Sequence, residues 1–317
     1  MMSVREERTV TGKDEQRLDD LYRAEAGRVF GIAYRMLGSV AEAEEVVQDA
    51  FVRFGEVDAE AVRRPPALLT TIATRLSIDR LKSARAERER YVGAWLPEPL
   101  LVDETDVAGE AEQADSISMA FLVLLESLSP LERAVFLLRE AFDYDYAAIG
   151  EIVERTPKNC RQIALRARRQ IEARRPRFET SRDEREEIVR RFFTASQDGD
   201  SEALLELLAA DAVLYGDGGG KAPALGSPLD GRDRVAAALV ALMRSASQVG
   251  ARLEPVWVNG QPGARFLAPD GALINVVAVD VLDGQVQAVR SVVNPEKLGH
   301  LGPLADVTAL LAGRRRS

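Results

Sequence analysis

The most constraining stretch of the chain is DYAAIGEIVERTPKNCRQIALRARRQI, residues 145–171. It reads as a short helix, a tight turn and a longer helix. Ala148, Ile149 and Ile152 supply the apolar side of the first helix. Thr156-Pro157 opens the second with an N-cap residue and a proline in the first turn, where its missing N–H costs nothing. Cys160, Ile163, Ala164 and Ala167 then fall on one side of that helix. Two such helices form a helix-turn-helix, whose second helix enters the DNA major groove by its N-terminal end. From Lys158 to Arg177 there are eight basic residues and one acid, Glu172. That density neutralises several phosphates, and Lys158, Asn159, Arg161 and Gln162 are of the right type to reach base edges. A solvated basic face on a helical hairpin is the alternative that this segment alone leaves open.

The surrounding pattern is helical for more than half the chain. Leu18, Tyr22, Val29, Ile32, Ala33 and Met36 recur at helical spacing, Gly38-Ser39 breaks the run, and Val40, Ala43, Val47, Ala50, Phe51 and Phe54 begin another stripe. A third helix starts at Pro65-Pro66. It carries Arg75, Arg80, Lys82, Arg85, Arg88 and Arg90, interspersed with Asp79, Glu87 and Glu89. The helix before it shows an acidic stripe of Glu42, Glu45 and Asp49. Solvent alone explains such stripes, and so does docking of a basic partner. Ser129-Pro130-Leu131-Glu132 is a capping box with proline at the first position. Between the two helical units, residues 98–115 hold seven acids and no Lys or Arg, the composition of a linker.

After Arg182 the texture changes. DEREEIVRRFFTASQDG and SEALLELLA read as helices, followed by strand-like runs AVLYG, ARLEPVWVNG, GARFLA, GALINVVAVDVLDG and QVQAVRSVVN with Asn-Gly and Asp-Gly turns. These predict antiparallel hairpins in an α+β domain with a curved sheet. Asp217 and Lys221 bracket Gly218, Gly219 and Gly220, a loop suited to anion binding through backbone N–H groups or to plain surface mobility; a structural or contact role is the favoured reading. Asn294-Pro295-Glu296-Lys297-Leu298 reads as an N-cap, a first-turn proline and a short helix.

Composition excludes other classes. One Cys, Cys160, permits neither an intramolecular disulfide nor a Cys-based zinc site, and one His, His300, leaves little for His-based metal or acid–base chemistry. No metal site and no catalytic group is expected. There is no apolar run of membrane-spanning length and no apolar core of a secretory signal, which implies a cytoplasmic protein. The net charge of −9 argues against DNA binding when taken as an average. The acids, however, gather in residues 98–115 and on the stripe of Glu42, Glu45 and Asp49, apart from the basic helix.

FGIAYRMLGSVAEAEEVVQDAFVRF, LLTTIATRLSIDRLKSARAERERYVGAWLPEP and LSPLERAVFLLREAFDYDYAAIGEIVERTPKNCRQIALRARRQI together resemble regions 2 and 4 of bacterial extracytoplasmic-function sigma factors. WLPEP (Trp95, Leu96, Pro97, Glu98, Pro99), DGGGK at 217–221 and NPEKL at 294–298 resemble the marks of the subgroup with a C-terminal SnoaL-like, or NTF2-like, extension. The resemblance implies a multidomain chain: region 2 at 14–92, an acidic linker at 93–115, region 4 at 116–177, and an α+β cone at 183–312. By the same resemblance, Glu45, Gln48 and Asp49 contact the polymerase clamp. Arg75, Asp79, Arg80, Lys82, Ser83 and Arg85 meet the −10 element. Thr156, Lys158, Asn159, Arg161, Gln162, Leu165 and Arg166 face the −35 element, with Arg168 and Arg169 on phosphates. The implied partners are core RNA polymerase, through its β′ clamp and β flap, and promoter DNA, with the free chain a monomer and no membrane involved.

The fused domain is then expected to regulate the sigma core in place of a separate anti-sigma factor. The alternative makes it a sensor of an unidentified small ligand or a vestigial enzyme, and a weaker one makes the whole chain a repressor. Two departures from the family stand out. Ala67-Leu68 follows Pro65-Pro66 where an aromatic residue is frequent. Glu154-Arg155 occupies the helix-turn-helix turn where glycine is frequent; a left-handed residue there costs roughly 1 kcal/mol more than Gly, which predicts a wider turn.

Overall fold

A computed structural model describes residues 12–57, 62–88, 90–102, 117–173 and 180–313. Most of the acidic run, at 103–116, and the basic residues at 174–179 lie outside the described residues.

Three helices open the chain: α1 (Gly12–Leu37), α2 (Val40–Gly55) and α3 (Pro65–Arg88). Gly38 ends α1 at φ 68° and Ser39 caps α2, its hydroxyl accepting from the Glu42 amide at 3.2 Å. Seven apolar residues of α2, from Val40 to Phe54, are buried at helical spacing. The chain then runs extended into a short strand, β1 (Leu101–Val102).

The second helical unit holds α4 (Met119–Leu125), α5 (Pro130–Glu140), α6 (Tyr146–Val153) and α7 (Pro157–Glu172). The capping box of Ser129 and Glu132 forms in full, and Asp145 and Thr156 cap α6 and α7. The turn between α6 and α7 is tight, contrary to the sequence expectation. Glu154 takes the left-handed conformation itself, at φ 54° and ψ 53°, and its N–H closes on the Gly150 carbonyl. It therefore carries the roughly 1 kcal/mol that glycine would have spared. Buried apolar side chains from both helical units, from Val29 through Leu81 and from Phe121 to Ile171, form one continuous cluster.

The C-terminal domain contains α8 (Arg182–Asp198), α9 (Ser201–Leu207), β2 (Leu208–Asp217), β3 (Leu229–Asp230), α10 (Arg232–Gln248), β4 (Arg252–Val258), β5 (Gln261–Leu267), β6 (Leu273–Leu282) and β7 (Gln285–Val292). Two short helices follow, α11 (Pro295–Leu298) and α12 (Val307–Gly313). The sheet order is β1-β4-β5-β6-β7-β2-β3. β4 to β7 form the expected antiparallel meander. Its first and last turns are Asn259-Gly260 and Asp283-Gly284, all four residues at positive φ. β2, however, pairs parallel to β7, so the sheet is mixed rather than a set of hairpins. The sequence reading also passed over α10, because Gly231 gives it no side-chain cap.

Alternation along β6 sorts the two faces of the sheet. Val277, Val279 and Val281 join Phe192, Phe193 and Val235 of the covering helices. Val276 and Ala278 join Leu96, Met119, Val258, Val292 and Leu298, so the second face is closed by the connection between the helical units and by α4. β1 adds to the sheet edge, with Leu101 opposite Val258 and Val102 opposite Trp257. Among the described residues, no helix is long and apolar enough to cross a membrane.

Candidate nucleic-acid and polymerase faces and the three-motif junction

On α7 the apolar positions Cys160, Ile163, Ala164, Ala167 and Ile171 are buried. Periodicity therefore turns Lys158, Asn159, Arg161, Gln162, Leu165, Arg166, Arg168 and Arg169 outward, and all eight are exposed. Thr156 is spent as the cap, accepting from the Asn159 amide at 3.2 Å. Arg168 pairs with Glu140 at 2.6 Å, Arg166 lies 3.9 Å from Glu132, and Arg161 sits over the Tyr146 ring. The face is basic, with one apolar residue, Leu165, at its centre.

The polymerase and −10 candidates meet across α2 and α3. The Arg80 guanidinium bridges Glu45 at 2.6 Å and Asp49 at 2.8 Å, while Gln48 is exposed beside them. Lys82 pairs with Asp79 at 2.9 Å, and the Ser83 hydroxyl donates to the Asp79 carbonyl. The Arg85 side chain lies outside the described residues. Arg75 reaches the second helical unit: Nε donates to the Ile152 carbonyl at 2.9 Å, Nη2 to the Glu151 carbonyl at 3.1 Å, and Nη1 stands 3.1 Å from the Glu154 carboxylate. Burial raises the Glu42 carboxyl from its ordinary value, with Arg88 and Arg80 pulling the other way.

WLPEP, DGGGK and NPEKL, far apart in the chain, converge on Asp217. That carboxylate is fully buried and accepts three times: from the Leu96 amide at 2.8 Å, from the Lys297 ammonium at 2.7 Å, and from the Tyr91 hydroxyl. Lys297 also donates to the Leu96 carbonyl. Burial lowers the Lys297 pKa, with Asp217 opposing, and raises that of Tyr91, with the Asp217 hydrogen bond adding to it. Two cations contact the Trp95 ring, Arg88 at 4.1 Å and Lys297 at 4.4 Å from its centroid. Asn294 caps α11 through Glu296 N at 3.1 Å and donates to the Tyr91 hydroxyl at 2.9 Å. A Cβ on Gly219 would collide with the Asn294 amide, so a side chain is excluded there. Lys221 pairs with Glu296 at the exposed rim, and Leu298 is buried in the cluster beneath.

The same segment ties back to the first helical unit. The Glu98 carboxylate accepts from Val40 N at 2.7 Å, Ala41 N at 3.3 Å and the Ser39 hydroxyl at 2.7 Å, an anion on the N-terminus of α2. Its backbone carbonyl accepts from the Tyr34 hydroxyl at 2.7 Å. Pro97 and Pro99 are buried, and the Pro99 carbonyl lies 2.8 Å from His300 Nε2.

Comparison with known proteins gives this architecture a family. Sigma-70 region 2 matches residues 21–87, Sigma-70 region 4 matches 118–171, and the SnoaL-like domain matches 189–283. The ECF RNA polymerase sigma factor SigJ of Mycobacterium tuberculosis is 33% identical over 304 residues, covering 91% of this chain and 95% of SigJ. The chain belongs to the extracytoplasmic-function RNA polymerase sigma factors. A second relative, the probable sigma factor SigI of the same species, is 31% identical over 88% of this chain and 94% of SigI. The crystal structure of SigJ superposes with a TM-score of 0.72 at 29% identity, covering 90% of this chain and all of that one. Its work therefore lies in transcription initiation, with a SnoaL-like domain fused to the sigma regions.

Several residues that hold this sigma factor together escaped the sequence reading. Tyr91, just before WLPEP, was unremarked. Asn259 was read only as half of a turn, yet its fully buried amide donates to the Tyr34 hydroxyl at 2.6 Å and the Ile117 carbonyl at 2.8 Å and accepts from Leu100 N at 3.0 Å. Arg88 stands in the sequence only as one cation of the basic cluster on the third helix, with no DNA role assigned to it. In the fold it donates to the Leu37 carbonyl at 2.7 Å, pairs with Glu126 and stacks on Trp95. The Asn-Gly dipeptide was the one available signal, and turn propensity accounted for it without revealing the inward amide.

Proposed function

We propose that the chain binds core RNA polymerase through Glu45, Gln48 and Asp49 on the β′ clamp and through region 4 on the β flap. In this reading α3 meets the −10 element and α7 reads the −35 element. The SnoaL-like domain regulates that work from within the chain, taking the place of a separate anti-sigma factor. The observation that carries the regulatory part is the convergence of all three motifs on Asp217: residues far apart in sequence are used to fasten the domain to the interdomain connection. The apolar side chains that fill the helix-covered face of the sheet favour this over a small-ligand sensor, and the reading assigns the domain no reaction. With Arg75, Arg80 and Arg168 already bound to internal acceptors, the free chain binds promoter DNA weakly at about 150 mM salt and engages it strongly only with polymerase.

The test is transcription with core polymerase on several promoters, comparing the full chain, a chain cut near Arg182 and the full-length Asp217→Asn variant. Promoter-dependent differences are expected. Identical activity of all three would overturn regulation by the fused domain, and failure of the full chain and the truncation alike to confer initiation would overturn the polymerase reading.

A further inference from the structure

We propose that the turn of the helix-turn-helix acts as an internal phosphate decoy, holding Arg75 away from the −10 strand while region 4 is docked on region 2. The inference rests on the reading that Arg75 meets −10 DNA, and it is independent of any role for the SnoaL-like domain. Three oxygens surround one guanidinium: the Ile152 and Glu151 carbonyls at 2.9 and 3.1 Å, and the Glu154 carboxylate at 3.1 Å. The carbonyls belong to the last turn of α6, where helix carbonyls lack intrahelical partners and carry partial negative charge. Together with a full carboxylate they present to Arg75 what a phosphate presents, a cluster of acceptors around negative charge.

The identity of Glu154 supports the contact rather than the turn. The turn closes through the backbone N–H of Glu154, which any residue other than proline supplies, and the left-handed conformation at φ 54° favours glycine. A glutamate is therefore the strained choice for the backbone and the fitting choice for Arg75. Its side chain is 72% exposed and that of Arg75 45%, so the pair forms in high dielectric and a DNA phosphate can displace it. Arg80 is held in the same manner, by Glu45 and Asp49. With Lys82 on Asp79, three cations of the −10 face are thus engaged by carboxylates of the chain itself.

The experiment uses the full-length chain and a fluorescently labelled random-sequence single-stranded DNA at low salt, with thermal melting in parallel. Glu154→Gly and Glu154→Gln each raise affinity by up to about fivefold, the ceiling an exposed ion pair allows. Glu154→Gly also melts no lower than the parent, since it relieves the left-handed strain. Arg75→Ala lowers affinity, and in its background the Glu154 variants no longer add anything. Unchanged affinity of both Glu154 variants, with Arg75→Ala still weakening binding, would overturn the decoy while leaving Arg75 a DNA contact. Equal gains with and without Arg75 would reduce the effect to general charge removal and also overturn it. If Arg75→Ala has no effect on binding, the assignment of Arg75 to DNA fails, and the decoy fails with it.

Discussion

Arg75 and Lys297 are both cations at a junction between domains, yet the Arg75 side chain is 45% exposed and that of Lys297 9%. The difference separates two kinds of joint. Region 4 meets region 2 through a continuous apolar cluster, crossed by buried or half-buried contacts of Arg133, Arg88 and Arg28 and, at the exposed rim, by Arg75, the one of these four assigned to DNA. An outside phosphate can replace the rim acceptors at little cost, because exposed pairs contribute roughly 0–1 kcal/mol. The SnoaL-like domain meets region 2 through buried groups whose hydrogen bonds are completed by one another, and water offers no substitute. Breaking a buried pair costs about 3–5 kcal/mol, since it strands a charge. Exchange with an outside phosphate is thereby expected first at the Arg75 rim, with the buried contacts of the second joint carried along intact.

Lys297→Met attacks the second joint at its most costly point. It leaves the Asp217 carboxylate buried with two donors, Leu96 N and Tyr91, and is expected to lower stability by about 3–5 kcal/mol in urea unfolding. Adding Asp217→Leu should recover only part of this, because the Leu96 amide and the Tyr91 hydroxyl then lose their acceptor. Full recovery would mean that the joint is held by packing alone, and the contrast with the rim would collapse.

Asn259→Ala is next in size. It removes the amide that links Tyr34 of α1, Leu100 of the connection and Ile117 before α4, with an expected loss of about 2–3 kcal/mol. Glu98→Gln should cost about 1 kcal/mol, since the amide keeps an acceptor for Val40 N and loses the charge that suits the start of α2. Thermal melting ranks the two. Were both milder than Arg75→Ala, the first joint would be the stronger one.

What was legible in the sequence follows the same division. Helix periods, caps and the Asn-Gly and Asp-Gly turns are local, and they led to the two all-α units and the α+β domain; the left-handed Glu154 was missed because steric cost at one residue says nothing about a partner such as Arg75, 79 positions away. The outward face of α7 follows from the positions of Cys160, Ile163, Ala164 and Ala167. The resemblance marked WLPEP, DGGGK and NPEKL as related, but spacing along the chain carries no trace of Asp217 meeting Leu96 N and Lys297. Tyr91 and Asn259 act only through tertiary neighbours, and nothing adjacent to them announces it. The parallel pairing of β2 with β7 was equally hidden, since a strand's alternation is the same in either direction.

The smallest effect is expected at Glu42, where Arg80, proposed above for the −10 face, and Arg88 of the three-motif junction both act. Burial raises its carboxyl above the ordinary 4.5, outweighing the two arginines. A carboxyl whose folded pKa is raised binds more protons in the folded than in the unfolded state between the unfolded and the folded pKa. Its contribution to stability is therefore present at acid pH and lost as pH rises through the folded pKa. Glu42→Gln is neutral throughout, so it should stabilise the chain at pH 7 by less than about 1 kcal/mol, with the gain closing as pH falls toward about 4. Urea midpoints of parent and variant between those pH values read this directly. A variant less stable at pH 7 would show that Arg80 and Arg88 outweigh burial, and the interlocked polar chemistry of the second joint would then extend to the edge of the polymerase face.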